Sequence, residues 1–155
     1  MIRLERTLTT DPDFINLVKE LDQGLAITDG EDHAFYNQYN KLDNIKFVLV
    51  AYLDSKAVGC GAIKEYDKET MEVKRMYVRS ENRGQRIATT ILSALEKWTL
   101  ELGFKRCILE TGHKQPEAIA LYHRCNYQII ENYGQYAGIA NSLCFEKRIH
   151  PLTNI

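Results

Sequence analysis

The sequence is short of the features that announce a compartment, a metal or a nucleotide. Four cysteines, Cys60, Cys107, Cys125 and Cys144, are scattered through 155 residues without a CxxC pair, each inside an apolar pattern. They read as reduced core residues of a cytosolic protein rather than as disulfides or metal ligands. The four histidines form no HxxxH pair and no Cys/His cluster, and His113 and His123 lie ten residues apart, so no metal is expected. The opening stretch MIRLERTLTT lacks the apolar core of a signal peptide. The longest apolar run, Phe47 to Leu53, is too short to span a bilayer. A formal net charge of −1 leaves no bulk attraction to nucleic acid or membrane surfaces. No GxxxxGK followed by Ser or Thr is present, and no GxGxxG, which sets aside the P-loop and the dinucleotide fingerprint.

What is present reads as one ordinary domain. Apolar residues make up 45% and charged residues 26%, and the chain is long enough to bury a core without staples, so residues 1–155 are expected to form a single domain. No repeat, low-complexity tract or linker interrupts it.

Ile2 to Thr9 alternates like a strand. A helix follows, with Asp11 as N-cap and Pro12 in the first turn. Phe14, Leu17, Val18 and Leu21 share one face, and Gly24 is expected to end it. Asp29 to Asn44 is polar and tyrosine-rich, a short helix or a loop. Three strands come next, Lys46–Leu53, Ala57–Tyr66 and Met71–Val78, joined by the tight turns DSK and DKET into an antiparallel meander. Gly59 and Gly61 in the middle strand imply close packing or a bend. A helix from about Gly84 to Leu102, closed by Gly103, is followed by the strand Lys105–Thr111. Pro116 opens a last helix, and Tyr127–Ile130 and Ser142–Ile149 are the final strands. The β-α-β passage from Met71 to Thr111 implies two neighbouring parallel strands in a mixed sheet.

The join between Val78 and the long helix holds RGQRIA, Arg83 to Ala88. A helix start already carries about half a positive charge and unpaired N–H groups. Two arginines and a glycine at the carboxyl end of a strand suit an arriving anion: Gly84 admits close backbone approach and the arginines offer forked donors. A solvated basic turn is the plainer reading of the same residues.

This order of elements and motifs resembles the GNAT family of N-acetyltransferases. Their phosphate loop reads Gln or Arg, two residues, Gly, one residue, then Gly or Ala. Arg83 and Ala88 match, and Arg86 stands where the family has glycine. Arg86 is taken to be entering the helix already, with no unusual backbone angles. The family's second motif, Asn-x-x-Ala-x-x-Leu-Tyr-x-x-x-Gly then Phe or Tyr, aligns with Gln115 to Tyr127. It carries Ala118, Leu121, Tyr122 and Tyr127, with Gln115 for the asparagine and Asn126 for the glycine.

The resemblance implies an acyl-CoA N-acyltransferase fold: α/β (α+β), with a mixed, mostly antiparallel central sheet of about six to seven strands flanked by helices. It implies acetyl-CoA as co-substrate. The pyrophosphate would meet Arg83, Gly84, Gln85, Arg86, Ile87, Ala88 and Thr89, with Gln115 a further contact. The pantetheine arm would run along Met76, Tyr77 and Val78, in a gap where that strand parts from CILET. Tyr122 would be the acid that protonates the departing thiolate, and its plain alternative is a core aromatic. Glu72 would take the proton of the amine, directly or through water, against a solvent-facing strand residue. Glu110 is a second acidic candidate. A strand N–H near Tyr77 or Val78 would stabilise the oxyanion. His33 to Tyr39 and Tyr133 to Tyr136 fall where the family builds acceptor pockets. The function implied is acetyl transfer to a primary amine of a small molecule or amino acid in the cytoplasm, and a homodimer is compatible with it. A CoA-binding module without turnover, or an enzyme acting on protein N-termini or lysines, are the alternatives.

Overall fold

The computed structural model describes residues 1–30 and 45–151. Seven strands form one sheet in the order β1-β2-β3-β4-β5-β7-β6. They are β1 (Ile2–Thr7), β2 (Phe47–Leu53), β3 (Lys56–Asp67), β4 (Thr70–Val78), β5 (Arg106–Gly112), β6 (Gln128–Ile130) and β7 (Ser142–Arg148). The helices are α1 (Pro12–Asp29), α2 (Ile87–Glu101) and α3 (Pro116–Arg124). β4 and β5 run parallel, with Thr70 opposite Arg106 and Glu72 opposite Ile108. The pairs β1–β2, β2–β3, β5–β7 and β6–β7 are antiparallel. The mixed sheet expected from the sequence is therefore seven-stranded.

Contacts within the chain fall into two compact units, Met1–Lys64 with Val73–Leu95, and Glu65–Glu72 with Glu96–Ile155. In the first, Phe14, Leu17 and Val18 of α1 join Val48, Val50 and Tyr52 of β2 and Cys60 and Ala62 of β3 in one buried cluster. Gly59 and Gly61 lie on the opposite face of β3, because strand side chains alternate. A Cβ on Gly59 would meet the Tyr77 carbonyl oxygen at 2.9 Å, and one on Gly61 would meet Met76 Sδ at 2.8 Å and Leu95 Cδ1 at 2.9 Å. The two glycines therefore let β4 and α2 settle directly onto β3, the close packing expected of them.

Asp11 caps α1 as expected, accepting from the Asp13 N–H at 2.8 Å. The helix does not stop at Gly24 but continues to Asp29. A glycine inside a helix costs only about 1 kcal/mol, which a face as well buried as that of Phe14, Leu17 and Val18 offsets. The end of α2 matches expectation: Phe104 N–H donates to Thr99 O at 3.0 Å and Gly103 N–H to Leu100 O at 3.0 Å, closing the last turn. The DSK turn places both Asp54 and Ser55 at positive φ, the geometry that a two-residue hairpin requires. The helix or loop expected after Gly30, and the stretch His33 to Tyr39, lie outside the described residues.

In the second unit Cys107, Ile108 and Leu109 of β5 are buried with Cys144 and Phe145 of β7 and with Leu121, Tyr122 and Tyr127. All four cysteines are thiols. Burial pushes Cys60 up to about 12 and Cys107 and Cys144 up to about 11.

Candidate active site

In the first unit, β4 ends at Val78 and the chain makes a 3-10 turn, Ser80–Asn82, before reaching Arg83. The Arg83 Nε donates to the Val78 carbonyl at 3.0 Å, and its guanidinium lies 5.8 Å from the Tyr77 ring. The side chain is thereby folded back over the end of β4, so its charge stays beside the loop. Tyr77 is held in turn by Glu20 of α1, which accepts from its hydroxyl at 3.1 Å and pairs with Arg79 at 3.0 Å. Burial raises the Tyr77 hydroxyl above its ordinary value, and Glu20 adds to the effect. The Arg79 N–H donates to Val58 O at 2.9 Å. The end of β4 is thus held by α1 through Tyr77 and Arg79 and by β3 through the Arg79 N–H.

Gly84 has φ +83° and Arg86 has φ +63°. The ordinary backbone expected for Arg86 is corrected here: it is left-handed. Its carbonyl accepts from the Thr90 N–H at 3.0 Å and from the Thr90 hydroxyl at 2.8 Å, so Arg86 is the residue from which α2 departs. A left-handed turn at that point brings the extended loop round onto the helix axis, which is why glycine suits the position and why a side chain there costs about 1–2 kcal/mol. Asn126, at the second family glycine, is also left-handed, with φ +70°. Asparagine tolerates that region far better. Ile87 is buried and anchors the helix start, while Gln85 and Arg86 are exposed. The N–H groups of Ile87, Ala88 and Thr89 occupy the first turn, where no intrahelical acceptor exists. With Arg83 and Arg86 alongside, positive charge and unpaired N–H groups coincide at this helix start, an arrangement that suits an anion.

In the second unit, Tyr122 of α3 is 6% exposed, its ring 5.7 Å from that of Phe145 and 5.8 Å from that of Tyr127. Among the described residues nothing hydrogen-bonds its hydroxyl. Burial raises it above the usual tyrosine value, with Cys125 and Glu110 adding to the rise, so the proton is retained throughout the neutral range. The Tyr127 N–H donates to Tyr122 O at 2.9 Å, closing the helix that carries it. Gln115 precedes α3 without a side-chain capping bond, and its Nε2 is a buried donor that no described residue accepts.

Glu72 is not solvent-facing. It is 6% exposed, and the Tyr133 hydroxyl donates to its Oε2 at 2.7 Å. β4 is interior to the sheet, and Met71, Glu72 and Val73 are all buried, so alternation could not reveal a polar face. Glu110 on β5 acts electrostatically on both Tyr122 and Tyr136. Tyr133 as partner of Glu72 is the contact that sequence reasoning missed. The two are 61 residues apart, and only the pattern YGQY marked the segment. Among the described residues no group of three or more His, Cys, Asp or Glu is arranged to hold a metal. No helix among them is long and apolar enough to cross a membrane.

The sequence model described as the Acetyltransferase (GNAT) family matches residues 14–127. The chain belongs to this family. It is 33% identical over 136 residues to the IAA acetyltransferase of Azospirillum brasilense, covering 86% of this chain and 88% of that protein. A solved Klebsiella pneumoniae chain, named for acyl-CoA N-acyltransferase, superposes with a TM-score of 0.82 at 30% identity, over 97% of this chain and 99% of that one. A GNAT acetyltransferase from Elizabethkingia anophelis, solved with acetyl-CoA bound, shares the fold with a TM-score of 0.70 at 16% identity, over 95% and 97% of the two chains. The protein is thus a GNAT acetyltransferase, and the family match runs through both units.

Proposed function

We propose that this acetyltransferase, as a single domain of residues 1–155, takes the acetyl group of acetyl-CoA and places it directly on a primary amine of a small molecule or amino acid. The observation that carries the donor assignment is the left-handed backbone at Gly84 and Arg86, which leads the chain into α2 so that its first-turn N–H groups follow directly on two arginines. A pyrophosphate supplies the paired negative charge such a cradle accepts. The neighbour solved with acetyl-CoA bound supports the same donor.

In the reaction, Glu72 takes a proton from the arriving ammonium and leaves a neutral amine. The amine nitrogen bonds to the thioester carbon, and the carbonyl oxygen becomes an oxyanion, stabilised by a strand N–H near Tyr77 or Val78. The C–S bond then breaks. The thiolate takes the Tyr122 proton, and the nitrogen, still bearing a surplus proton, restores Tyr122. One proton is released per turnover. Tyrosinate is more basic than a thiolate, whose reference value is near 8.5, so Tyr122 gives up its proton only as the nitrogen returns one. No enzyme-bound acyl group is needed, and Cys125 has no step to perform.

Thermal unfolding with acetyl-CoA, CoA, ATP and NAD, each alone, tests the donor. A ligand at one hundred times its dissociation constant adds about 2.7 kcal/mol, which is about 5–10 °C for a domain of this size. Stabilisation by acetyl-CoA and CoA but not by NAD is expected. No shift with either CoA species refutes the assignment of the cradle. Thiol release from acetyl-CoA across a panel of amino acids and alkyl amines then tests the acceptor class.

A further inference from the structure

The reaction needs Glu72 to be correctly turned toward the acceptor amine, and its carboxylate is buried. A carboxylate taken out of water is penalised unless a donor meets it. Tyr133 supplies one such donor. Its hydroxyl reaches Glu72 Oε2 at 2.7 Å, the length of a strong charge-assisted bond. Its ring is seated edge-on between Tyr66 of β3 at 5.3 Å and Tyr136 at 5.7 Å, so the hydroxyl has little freedom to turn away. The segment that bears it is fixed by Asn132, whose Nδ2 donates to Ile139 O at 3.0 Å and to Ser142 O at 3.1 Å.

We propose that Tyr133 is a positioning residue for Glu72: its hydroxyl holds the carboxylate in the one rotamer that receives the proton of the acceptor amine. The proposal rests on Glu72 being the base. Among the described residues, the other titratable groups around the pair are Tyr136 on the same segment, Glu110 on β5, Cys144 on β7 and Tyr66 on β3. Tyr136, Cys144 and Tyr133 itself are all pushed toward their protonated forms by burial. They stay neutral near pH 7. A tyrosine that stays protonated beside a carboxylate is a permanent donor to it, which is the property a positioning group requires.

Tyr133→Phe removes one oxygen and keeps the ring contacts with Tyr66 and Tyr136. The first readout needs no acceptor: NMR titration of ¹³C-labelled glutamate side chains in the full chain, with the Glu72 signal identified by its loss in Glu72→Gln. Without the hydroxyl, the Glu72 midpoint is expected to rise by about one pH unit, the effect of losing one hydrogen bond to the charged form. The second readout is turnover with the fastest amine of the amino-acid and alkyl-amine panel. Here kcat is expected to fall about tenfold, the acid limb of kcat/KM to move upward with the NMR midpoint, and the KM for acetyl-CoA to stay constant. In the Glu72→Gln background, Tyr133→Phe is expected to add nothing. An unchanged NMR midpoint together with an unchanged acid limb overturns the proposal even if Glu72→Gln is inactive, since Glu72 then works without Tyr133. Full turnover and an intact acid limb in Glu72→Gln overturn both the proposal and the assignment of Glu72 as base.

Discussion

Replacing Gly59 by alanine tests how β4 is held. The added methyl would lie 2.9 Å from the Tyr77 carbonyl oxygen, 3.0 Å from Ile91 Cδ1 and 3.3 Å from Val78 Cγ2. The first contact is with backbone and cannot be relieved by a rotamer change. Nor can β4 slide, because the Arg79 N–H is bonded to Val58 O at 2.9 Å, one residue from the substitution. Overpacking of this kind costs about 1–3 kcal/mol, or about 2–10 °C in Tm. Any outward shift of the Tyr77 carbonyl also displaces the strand proposed to carry the pantetheine arm, so acetyl-CoA affinity should fall as well. Gly24→Ala is the control of opposite sign. That helical position has open space around it, so removing a glycine should raise stability by about 0.5–1 kcal/mol. The assay is thermal unfolding of both variants without ligand, followed by acetyl-CoA titration. A Gly59→Ala midpoint equal to wild type would show that β3 and β4 do not pack as closely as described, and the argument for the two glycines would fail.

Tyr122→Phe should lower kcat by about a hundredfold, the range of one general acid, with acetyl-CoA affinity unchanged by calorimetry; full turnover would assign the proton to another donor. Because burial raises Tyr122, and an acid is lost as pH rises through its own value, the alkaline limb it sets should lie above about pH 10. A Tyr122-dependent limb near neutrality contradicts this. Arg83→Glu places an anion at the helix start and should weaken CoA on the order of a hundredfold; unchanged affinity by calorimetry rules out the cradle. Arg86→Gly relaxes the left-handed backbone and should leave CoA affinity within about threefold if N–H groups do the binding. A loss beyond tenfold shows that the guanidinium itself contacts phosphate.

The sheet was legible because its signals are local. Alternation, two short turns and a β-α-β passage gave the strand bounds to within a residue or two and the neighbours from β2 to β5, but not the place of β7 between β5 and β6. In RGQRIA the coincidence of charge and glycine at a helix start was legible, and α2 does start there, at Ile87. What could not be read were conformations that override propensity. Arg86 is left-handed although arginine has no preference for that region, because the loop must turn there whatever residue occupies it. Gly24 failed as a stop because the helix is held by its buried face, not by its weakest member. The burial of Glu72 and its bond to Tyr133 arise from long-range packing, to which residue spacing is blind.

The buried cysteines have a consequence for how this chain comes apart. At neutral pH the thiolate of Cys60 is a minute fraction, and those of Cys107 and Cys144, about tenfold larger, are still minute. An alkylating reagent therefore reaches the half-buried Cys125 first and the other three only through opening. Cys60 reports on one compact unit, and Cys107 and Cys144 on the other. Equal labelling rates for the three would mean that the units unfold in a single cooperative step. A faster Cys60, or a faster Cys107 and Cys144, would identify the unit that yields first, without a probe being introduced into the sequence.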